Sequence, residues 1–502
     1  MICSGLTVAF FTLISRIFGL ARELFVASLF GAGSVADSVN VAFKLPNLFR
    51  RIFGEGALST AFIPIFNEKL LESDQKARQF SGEVFTILLF SLIIIVGLMQ
   101  VFMPSLMFII APGFQEDKAK FDLTILLCRI TMPYLIFISI ASLFGGILNS
   151  IKRFAAFAFT PVILSLCVIF ITKILERHNI EPSLSISISV LIAGLLQVLF
   201  MFYYIVKAKM AFPLSFNPAG KELRKFLGNM GPITISSGAQ QLHLFISQSI
   251  ASFVPGAVSI LSYADRIYQF PLSIIGISFG TILLPELSKI YKQNDLKQAI
   301  NIQNKAIKIG LLLSLPAAFG IIILSHPIIH IIYERGAFTP EDTIKVAEAI
   351  SAFALGLPAF VLAKILTPIF YANQDTKTPL RITIYSLIVN SILNLTLMIP
   401  FSHLGIALGS SIAAWYNVYL LYKYANKSGK FFILPEIKFF CLKLLISCVS
   451  MAMLLLVIDN YYHLYFYSES LMTKTLTLSI SILGGIIVFF LTSLFLGLKR
   501  MI

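Results

Sequence analysis

The chain has 502 residues, of which 57% are hydrophobic and only 13% are charged. Soluble globular proteins carry about 25% charged and about 45–50% apolar residues, so this composition excludes a water-soluble enzyme and predicts a polytopic membrane protein. A net charge of +15 would also suit a nucleic-acid binder. In a chain this apolar, however, excess Lys and Arg first indicates cytoplasmic loops and contact with anionic membrane lipids, and no nucleic-acid partner is expected.

Fourteen apolar runs follow one another along the chain, separated by polar residues or by Gly and Pro. A membrane-spanning helix needs about 20 such residues, whereas a β-barrel needs short alternating segments. We therefore predict an all-α protein with fourteen transmembrane helices, at 5–30, 36–66, 80–111, 122–149, 156–175, 184–206, 226–253, 257–288, 304–333, 343–371, 380–400, 404–425, 436–458 and 472–498. The first run lacks a cleavage site and is expected to remain as a span.

The Lys and Arg residues between the runs predict the orientation of the chain. One set of loops holds 24 of the 39, and the opposite set, which includes Lys118 and Lys120, holds 6. Because basic loops are retained in the cytoplasm, both termini are predicted to be cytoplasmic.

The remaining nine cations lie within or at the edge of predicted spans, and five of these are in the first two. Those five are Arg16, Arg22, Lys44, Arg50 and Arg51. Burying one cation at the bilayer centre costs about 2.5–3.5 kcal/mol. Five in two helices therefore indicate that these helices line a watery or anion-binding space.

The first span carries its arginines well inside an apolar run. Arg16 and Arg22 lie about 120° apart around a helix, so both face one cavity only if the cavity is broad or the helix bends, which Gly19 permits. The alternative, an arginine that reaches back to the interface, fits Arg22 better than Arg16.

The second span has Asp37, Lys44 and Arg51 at successive steps of seven residues. Asp37 and Lys44 should share one stripe of the helix. Pro46 is expected to break the backbone where Lys44 and Asn47 present polar groups.

The eighth span contains Asp265 and Arg266. These two side chains could simply neutralise each other. Arginine, however, binds phosphate groups in a bidentate manner, and arginines gathered from both halves of the chain would suit a pyrophosphate better than a sugar or a metal.

An internal repeat relates the first six predicted helices to the next six. Motifs such as Pro112-Gly113 and Lys152-Arg153 recur near Gly336 and Lys377, at an offset of about 218–225 residues. The alternative is a chance alignment of Gly and Pro in loops. The repeat predicts two pseudo-symmetric six-helix lobes, 1–215 and 216–430, with 431–502 forming two extra C-terminal helices.

Motifs of hydrolytic or ATP-driven proteins are missing from the sequence. The six histidines are scattered, and the five cysteines lie mostly inside apolar runs, where they act as small apolar side chains. We expect no catalytic residue and no metal site.

Several segments resemble a known family. They are Ser15-Arg16-Ile-Phe-Gly19-Leu-Ala-Arg22, Phe43-Lys44-Leu-Pro46-Asn47-Leu-Phe-Arg50-Arg51, Ala111-Pro112-Gly113-Phe114, Tyr263-Ala264-Asp265-Arg266 and Asp375-Thr-Lys377-Thr-Pro379. These are similar to the MurJ (MviN) family of bacterial lipid II flippases, within the multidrug/oligosaccharidyl-lipid/polysaccharide exporter superfamily. The similarity covers essentially the whole chain.

The resemblance implies a function in peptidoglycan synthesis. A family member is expected to move undecaprenyl-pyrophosphoryl-MurNAc-pentapeptide-GlcNAc across the bacterial inner membrane by alternating access. The implied substrate-binding residues are Arg16, Arg22, Arg50 and Arg266, with Asp37 and Lys44 also in the cavity; Asn47 and Arg51 complete the candidate set. The family favours Arg50 over Arg51. Its two extra helices hold the lipid tail.

Other functions stay open at this stage. A cation-coupled drug antiporter of the same superfamily would place acids rather than arginines in its cavity. A scaffold for wall-synthesis or division proteins would leave the intramembrane charges unexplained, although such proteins remain candidate partners. The resemblance implies no cofactor, with coupling to the membrane potential or to a monovalent ion.

Overall fold

A computed structural model describes residues 2–51, 58–215, 220–461 and 470–498. Side chains are described throughout these ranges except at 2–9, 232, 235–240, 243, 277–278 and 281. No strand occurs among the described residues, which confirms the predicted all-α class. A helix satisfies its own backbone N–H and C=O groups, as a segment in lipid must.

The helices follow the predicted apolar runs. They are α1 (Ile2–Phe30), α2 (Ser34–Phe49), α3 (Ser59–Glu72), α4 (Asp74–Val101), α5 (Met103–Ile110), α6 (Lys118–Thr131), α7 (Tyr134–Ser150), α8 (Ala155–Arg177), α9 (Pro182–Lys207), α10 (Lys221–Ala251), α11 (Ala257–Lys292), α12 (Leu296–Ile323), α13 (Ser325–Tyr333), α14 (Pro340–Ala372), α15 (Lys377–Lys427), α16 (Glu436–Tyr461) and α17 (Leu471–Phe495). Within the described ranges, nine helical segments are long and apolar enough to cross a membrane. The count of fourteen spans stays a prediction.

The chain divides into two compact units, Met1–Val258 and Ser259–Ile502. The first unit contains α1 to α10, and the second contains α12 to α17 and most of α11. The predicted lobes at 1–215, 216–430 and 431–502 stay a prediction. The boundary predicted between residues 215 and 216 adjoins residues 216–219, which lie outside the described residues.

In the first unit, α9 packs against α7 and α8, and α1 packs along α8. A group of buried aromatic rings joins α3, α4 and α10. Phe62 stacks on Phe66 and Phe80, with ring centroids 5.2 and 5.5 Å apart, and Phe80 meets Phe226 at 6.5 Å. The beginning of α10 is therefore part of the core of this unit.

In the second unit, α14 packs against α12 and α15, and α16 packs against α17 and α12. The α14 helix has buried residues from Thr343 to Phe370. By contrast, the buried residues of α17 are the small side chains Ser481, Gly485 and Ser493. The apolar side chains of α17 are thus left largely exposed, as expected for a helix in contact with lipid.

The expectation that Pro46 breaks the second span is wrong. The α2 helix continues through Pro46 to Phe49. A proline cannot donate a hydrogen bond to the carbonyl four residues earlier, which here is the carbonyl of Ala42. The hydroxyl of Thr131, on α6, donates to that oxygen at 2.9 Å, so the helix persists because the freed acceptor has another donor.

Two predicted spans are interrupted at matching places. Phe102 separates α4 from α5 with φ −90° and ψ 14°, and Leu324 separates α12 from α13 with φ −91° and ψ 15°. The two residues are 222 positions apart, within the predicted repeat offset. A third break, at Ser402 (φ 53°, ψ −133°) inside α15, falls between the predicted spans 380–400 and 404–425.

Left-handed residues recur with the same spacing. Lys152 and Gln374, also 222 positions apart, have φ of 62° and 59°. Their N–H groups donate to the carbonyls of Asn149 and Tyr371 at 3.0 and 2.9 Å. Corresponding positive-φ pairs are Gly31 with Gly256, Asn179 with Ser402, and Lys209 with Gly429. At these positions the positive φ angles of the first six predicted helices recur in the next six.

Candidate functional site

Three of the predicted site residues, Arg22, Asn47 and Arg50, are connected in the first unit through contacts with Phe43. The guanidinium carbon of Arg22, on α1, is 5.8 Å from the centroid of the Phe43 ring on α2, within reach of a cation–π contact. The Asn47 amide donates to the Phe43 carbonyl at 2.8 Å, and Arg50 Nε donates to Asn47 Oδ1 at 3.1 Å. We call Arg22, Phe43, Asn47 and Arg50 the α1–α2 cluster.

The local helix geometry produces this cluster. Residues four apart on a helix share a face, so Phe43 and Asn47 lie one above the other. Asn47 is then within reach of Arg50, because residues three apart are also neighbours. The arrangement places two guanidinium groups along α2, and each carries N–H donors in a planar fork.

The other predicted residues of α1 and α2 are placed differently. Arg16 and Arg51 are exposed, whereas Lys44 is half-buried. Arg16 precedes Arg22 by six residues, or about 9 Å along the helix axis. The predicted roles of these three residues in substrate binding stay predictions.

Arg266 lies on α11 in the second unit, where its side chain is exposed. The neighbouring Asp265 accepts a hydrogen bond from Gln269, four residues on. The ring of Tyr263 is buried against Tyr333 and Phe338, with centroids 5.1 and 5.7 Å apart. The convergence of Arg266 with the arginines of α1 and α2 stays a prediction.

Asp37, also a predicted site residue, belongs to a buried ion pair. Its side chain is fully buried, and Oδ2 is 2.7 Å from Lys120 Nζ on α6. The backbone N–H of Gly256 donates to the same oxygen at 2.9 Å. We call Asp37, Lys120 and Gly256 the Asp37 cluster. The predicted contact of Asp37 with substrate stays a prediction.

Sequence reasoning missed Lys120, which it assigned to an exposed loop. The structure places Lys120 in the first turn of α6 with only 7% of its side chain exposed, 3.9 Å from the centroid of the Phe114 ring. The helix begins earlier than predicted because Asp117 caps it by accepting from the Lys120 N–H at 3.1 Å. An aspartate three residues before the lysine was the available signal.

Two serine side chains hold the end of α10, a few residues before Gly256. Ser249 Oγ donates to the carbonyls of Ile109 and Ile110, each at 3.0 Å. Ser252 Oγ accepts from the Gly113 N–H at 3.0 Å. Gly113 lies in the Pro112–Glu116 turn, so the last turn of α10 is fixed to the segment between α5 and α6.

The opposite end of α10 is held by a second group of charges, the Lys69 network of Lys69, Glu72, Lys76 and Glu222. Lys69 Nζ is 2.8 Å from both Glu72 and Glu222, and Lys76 is 2.8 Å from Glu72. Hydrogen bonds from Lys69 and then Lys76 lower the pKa of the Glu72 carboxyl to about 2. Hydrogen bonding to Glu222 and Glu72 raises the pKa of Lys69.

Among the described residues, no group of three or more His, Cys, Asp or Glu could hold a metal ion. Asp375, the acid near the eleventh predicted span, accepts the Thr378 N–H at 3.0 Å. This bond lowers the pKa of the Asp375 carboxyl. Asp375 thus caps the beginning of α15.

Known proteins match the chain over nearly its full length. The family model described as lipid II flippase MurJ matches residues 26–495. The probable lipid II flippase MurJ of Rickettsia prowazekii (strain Madrid E) is 62% identical over 490 residues, covering 98% of this chain and 96% of the relative. The corresponding protein of Rhizobium tropici is 39% identical over 498 residues, covering 98% and 93%.

Solved structures agree with these sequence matches. A lipid II flippase MurJ in an inward closed conformation superposes with a TM-score of 0.76 at 28% identity, covering 97% of this chain and 98% of that one. An inward-facing MATE family multidrug resistance transporter of the MOP superfamily gives a TM-score of 0.67 at 14% identity, covering 84% and 97%. The second match concerns the fold alone.

Proposed function

Because the chain belongs to the lipid II flippase MurJ family, we propose that it moves lipid II from the cytoplasmic to the periplasmic leaflet of a bacterial inner membrane. The cargo is undecaprenyl-pyrophosphoryl-MurNAc-pentapeptide-GlcNAc, which is consumed in peptidoglycan synthesis. The family match over residues 26–495 is the observation that carries this proposal. Transport proceeds by alternating access, in which the lobes expose the cavity first to one side and then to the other.

The α1–α2 cluster supplies the chemistry for the pyrophosphate. A pyrophosphate presents several anionic oxygens, and arginine binds such groups through two parallel N–H donors. Arg22 and Arg50 are already oriented by Phe43 and Asn47, so less conformational entropy is lost on binding. Arg266 is assigned to the same substrate on the sequence prediction alone.

The exposed apolar surface suggests where the lipid tail binds, and the loop charges predict how the protein is oriented in the membrane. The exposed apolar side chains of α17, among them Ile480, Leu483 and Phe490, provide a surface for the undecaprenyl chain. Retention of the basic loops places both termini in the cytoplasm. An inward-negative membrane potential, or a monovalent ion, then resets a cavity of net positive charge.

The alternative, a cation-coupled drug antiporter, is less well supported. This chain is only 14% identical in sequence to the MATE transporter, and that match concerns the fold alone. A cationic substrate would meet the two guanidinium groups of the α1–α2 cluster at close range, and like charges repel in a low-dielectric cavity.

The test replaces Arg22 or Arg50 in a strain depleted of its own flippase. We expect Arg22→Ala and Arg50→Ala to abolish growth and the appearance of lipid II at the outer surface. Arg50→Lys should recover only part of the activity, because lysine lacks the bidentate geometry. Membrane levels of each variant, measured by immunoblot, separate loss of function from loss of protein.

Lys173→Ala is the matched control. Lys173 Nζ lies 5.7 Å from the Phe25 ring, so this variant also loses a cation–π contact to α1, but outside the α1–α2 cluster. It should grow normally. Normal growth of both Arg22→Ala and Arg50→Ala would contradict the proposal that these arginines bind the pyrophosphate.

A further inference from the structure

A basic pocket lies in the second unit, where α13 ends and α17 begins. Its volume is 280 Å³, and its lining residues are His330, Glu334, Arg335, Leu471 and Lys474. His330 is 6% exposed, and Lys474 Nζ is 3.1 Å from its Nε2 atom. The pocket thus brings a lysine, an arginine and a buried histidine to one place.

The charges in this pocket favour an anion. Arg335 is held in place by a hydrogen bond from Nη2 to the carbonyl of Ile331 at 3.0 Å. Glu334 is the opposing charge, and it accepts from the Thr343 hydroxyl at 2.6 Å. Two permanent cations against one carboxylate leave the pocket with net positive charge.

An apolar groove lies beside the basic pocket. Its volume is 480 Å³, and its walls include Ile322, His326, Ala347, Leu355 and Leu408. The carboxylate of Glu348, also on the wall, is 3.6 Å from the imidazole of His403. The groove is therefore mostly apolar, and its polar lining is Ser325, His326, Glu348 and Ser351.

The groove and the pocket meet along α13. His326 lines the groove, and His330, one helical turn further on, lines the pocket. Residues four apart on a helix lie one above the other, and the rings of His326 and His330 have centroids 6.0 Å apart. A single ligand can therefore reach from the pocket into the groove.

The length of the groove matches one leaflet of a bilayer. Its lining on α14 extends from Ile344 to Leu355, which is about 16 Å at 1.5 Å per residue. Half of a hydrocarbon core is about 15 Å thick. The groove can accommodate an acyl chain lying along the membrane normal.

We propose that this surface binds an anionic phospholipid, with its phosphate in the basic pocket and one acyl chain in the apolar groove. The lipid is distinct from the transported one and acts on the second unit. With both termini in the cytoplasm, the bound phospholipid lies in the outer leaflet. The site itself does not depend on that orientation or on the proposed function.

The test measures lipid retained by the full-length protein in detergent, using native mass spectrometry. The probes are phosphatidylglycerol and phosphatidylcholine with identical acyl chains, and inorganic phosphate alone. We expect phosphatidylglycerol to be retained about tenfold better than phosphatidylcholine, because its net charge is negative. Inorganic phosphate, which lacks an acyl chain, should not compete at millimolar concentration.

Variants of the pocket should change retention in opposite directions. Arg335→Gln combined with Lys474→Gln should reduce retained phosphatidylglycerol about tenfold, whereas Glu334→Gln should increase it. Lys118→Gln, which removes an exposed lysine in the first unit, is the matched control and should change nothing. An increase and a decrease from neighbouring positions cannot both arise from misfolding.

Leu355→Trp tests the groove independently, because a larger side chain there should lower retention of both phospholipids. The proposal is overturned if the double variant retains phosphatidylglycerol as the unmodified protein does. It is also overturned if the two phospholipids are retained equally, or if inorganic phosphate displaces the lipid.

Discussion

The two ends of α10 are joined to the rest of the first unit near charged groups, but in different surroundings. Just beyond one end, the Gly256 N–H donates to the buried Asp37–Lys120 pair, whereas Glu222 at the other end forms an ion pair with Lys69. At one end, the Asp37 cluster has side chains that are 0% and 7% exposed. At the other, the Lys69 network includes Glu72 and Glu222 side chains that are 36% and 40% exposed. One end of α10 is therefore anchored through a hydrogen bond to a buried pair, and the other through an exposed pair.

Burial changes how much the loss of one partner of an ion pair destabilises the folded protein. Breaking a buried pair leaves one charge without compensation in a medium of low dielectric, which is strongly destabilising. Exposed pairs gain little and are screened by salt. We therefore expect the Lys69 network to separate more easily than the Asp37 cluster, so that α10 moves first at its beginning, near Lys221.

The largest expected effect comes from breaking the Asp37 cluster. Asp37→Ala should lower the free energy of unfolding by about 3–5 kcal/mol, because Lys120 would remain buried without its carboxylate. Thermal unfolding in detergent measures the change.

Replacing both partners distinguishes the cost of an unpaired buried charge from the loss of the ion pair itself. Asp37→Asn combined with Lys120→Met should be much more stable than Asp37→Ala, since no unpaired charge is then buried and the amide oxygen can still accept from the Gly256 N–H. Lys118→Met, which alters an exposed lysine in the same helical turn, is the control. If Asp37→Ala alone were as stable as the double variant, the pair would not hold this end of α10.

A smaller effect is expected from Gly113, which contacts the same end of α10. A Cβ atom added to Gly113 would overlap the backbone of Ser252 and Phe253. Gly113→Ala should therefore cost about 1–3 kcal/mol through overpacking, read as a lower melting temperature.

Gly97→Ala is the matched control for that variant. Gly97 lies inside α4 and has no atom within 4 Å of an added Cβ. Alanine favours the helix by about 0.5–1 kcal/mol over glycine, so this variant should be slightly more stable. Equal melting temperatures for the two alanine variants would contradict the close packing at Gly113.

The smallest effect is expected from the Lys69 network. Lys69→Gln and Glu222→Gln should lower the melting temperature only slightly at low salt. The difference should vanish near 1 M salt, where the Debye length is about 3 Å. A salt-independent loss would show that the network is buried rather than exposed.

The pH dependence of this network has a defined sign. The pKa of Glu72 is lowered to about 2, so its contribution is complete above its ordinary pKa and is lost as the pH falls towards 2. Glu72→Gln should remove this acid-dependent part of the stability, measured by melting between pH 6 and about pH 3.

The positions of helices were predictable from the sequence, but their interruptions were only partly so. Pro46 does not break α2, because Thr131 donates to the carbonyl of Ala42. Pro104 and Pro327, in contrast, follow closely after breaks at Phe102 and Leu324. At Pro46 the replacement donor comes from a neighbouring helix, so it depends on tertiary packing that residue spacing does not reveal.

The candidate site shows the same limit. Charges inside apolar runs pointed to Arg22 and Arg50, and the family resemblance favoured Arg50 over Arg51. The structure places Arg22 beside Phe43 and Arg50 beside Asn47. Lys120 was missed because it lies at the beginning of a helix, where a cation in the sequence resembles a loop residue. Its burial against Asp37, 83 positions earlier, requires α2 and α6 to pack together, which residue spacing does not reveal.

The left-handed residues spaced about 222 positions apart have a consequence for ancestry. Lys152 corresponds to Gln374, and Lys209 to Gly429, so the backbone conformation is shared while the side chains differ. Duplication and fusion of a gene for one six-helix polypeptide leaves this kind of record. A duplicated half keeps its turns after its side chains have diverged, because the turn needs the positive φ angle and not one particular residue.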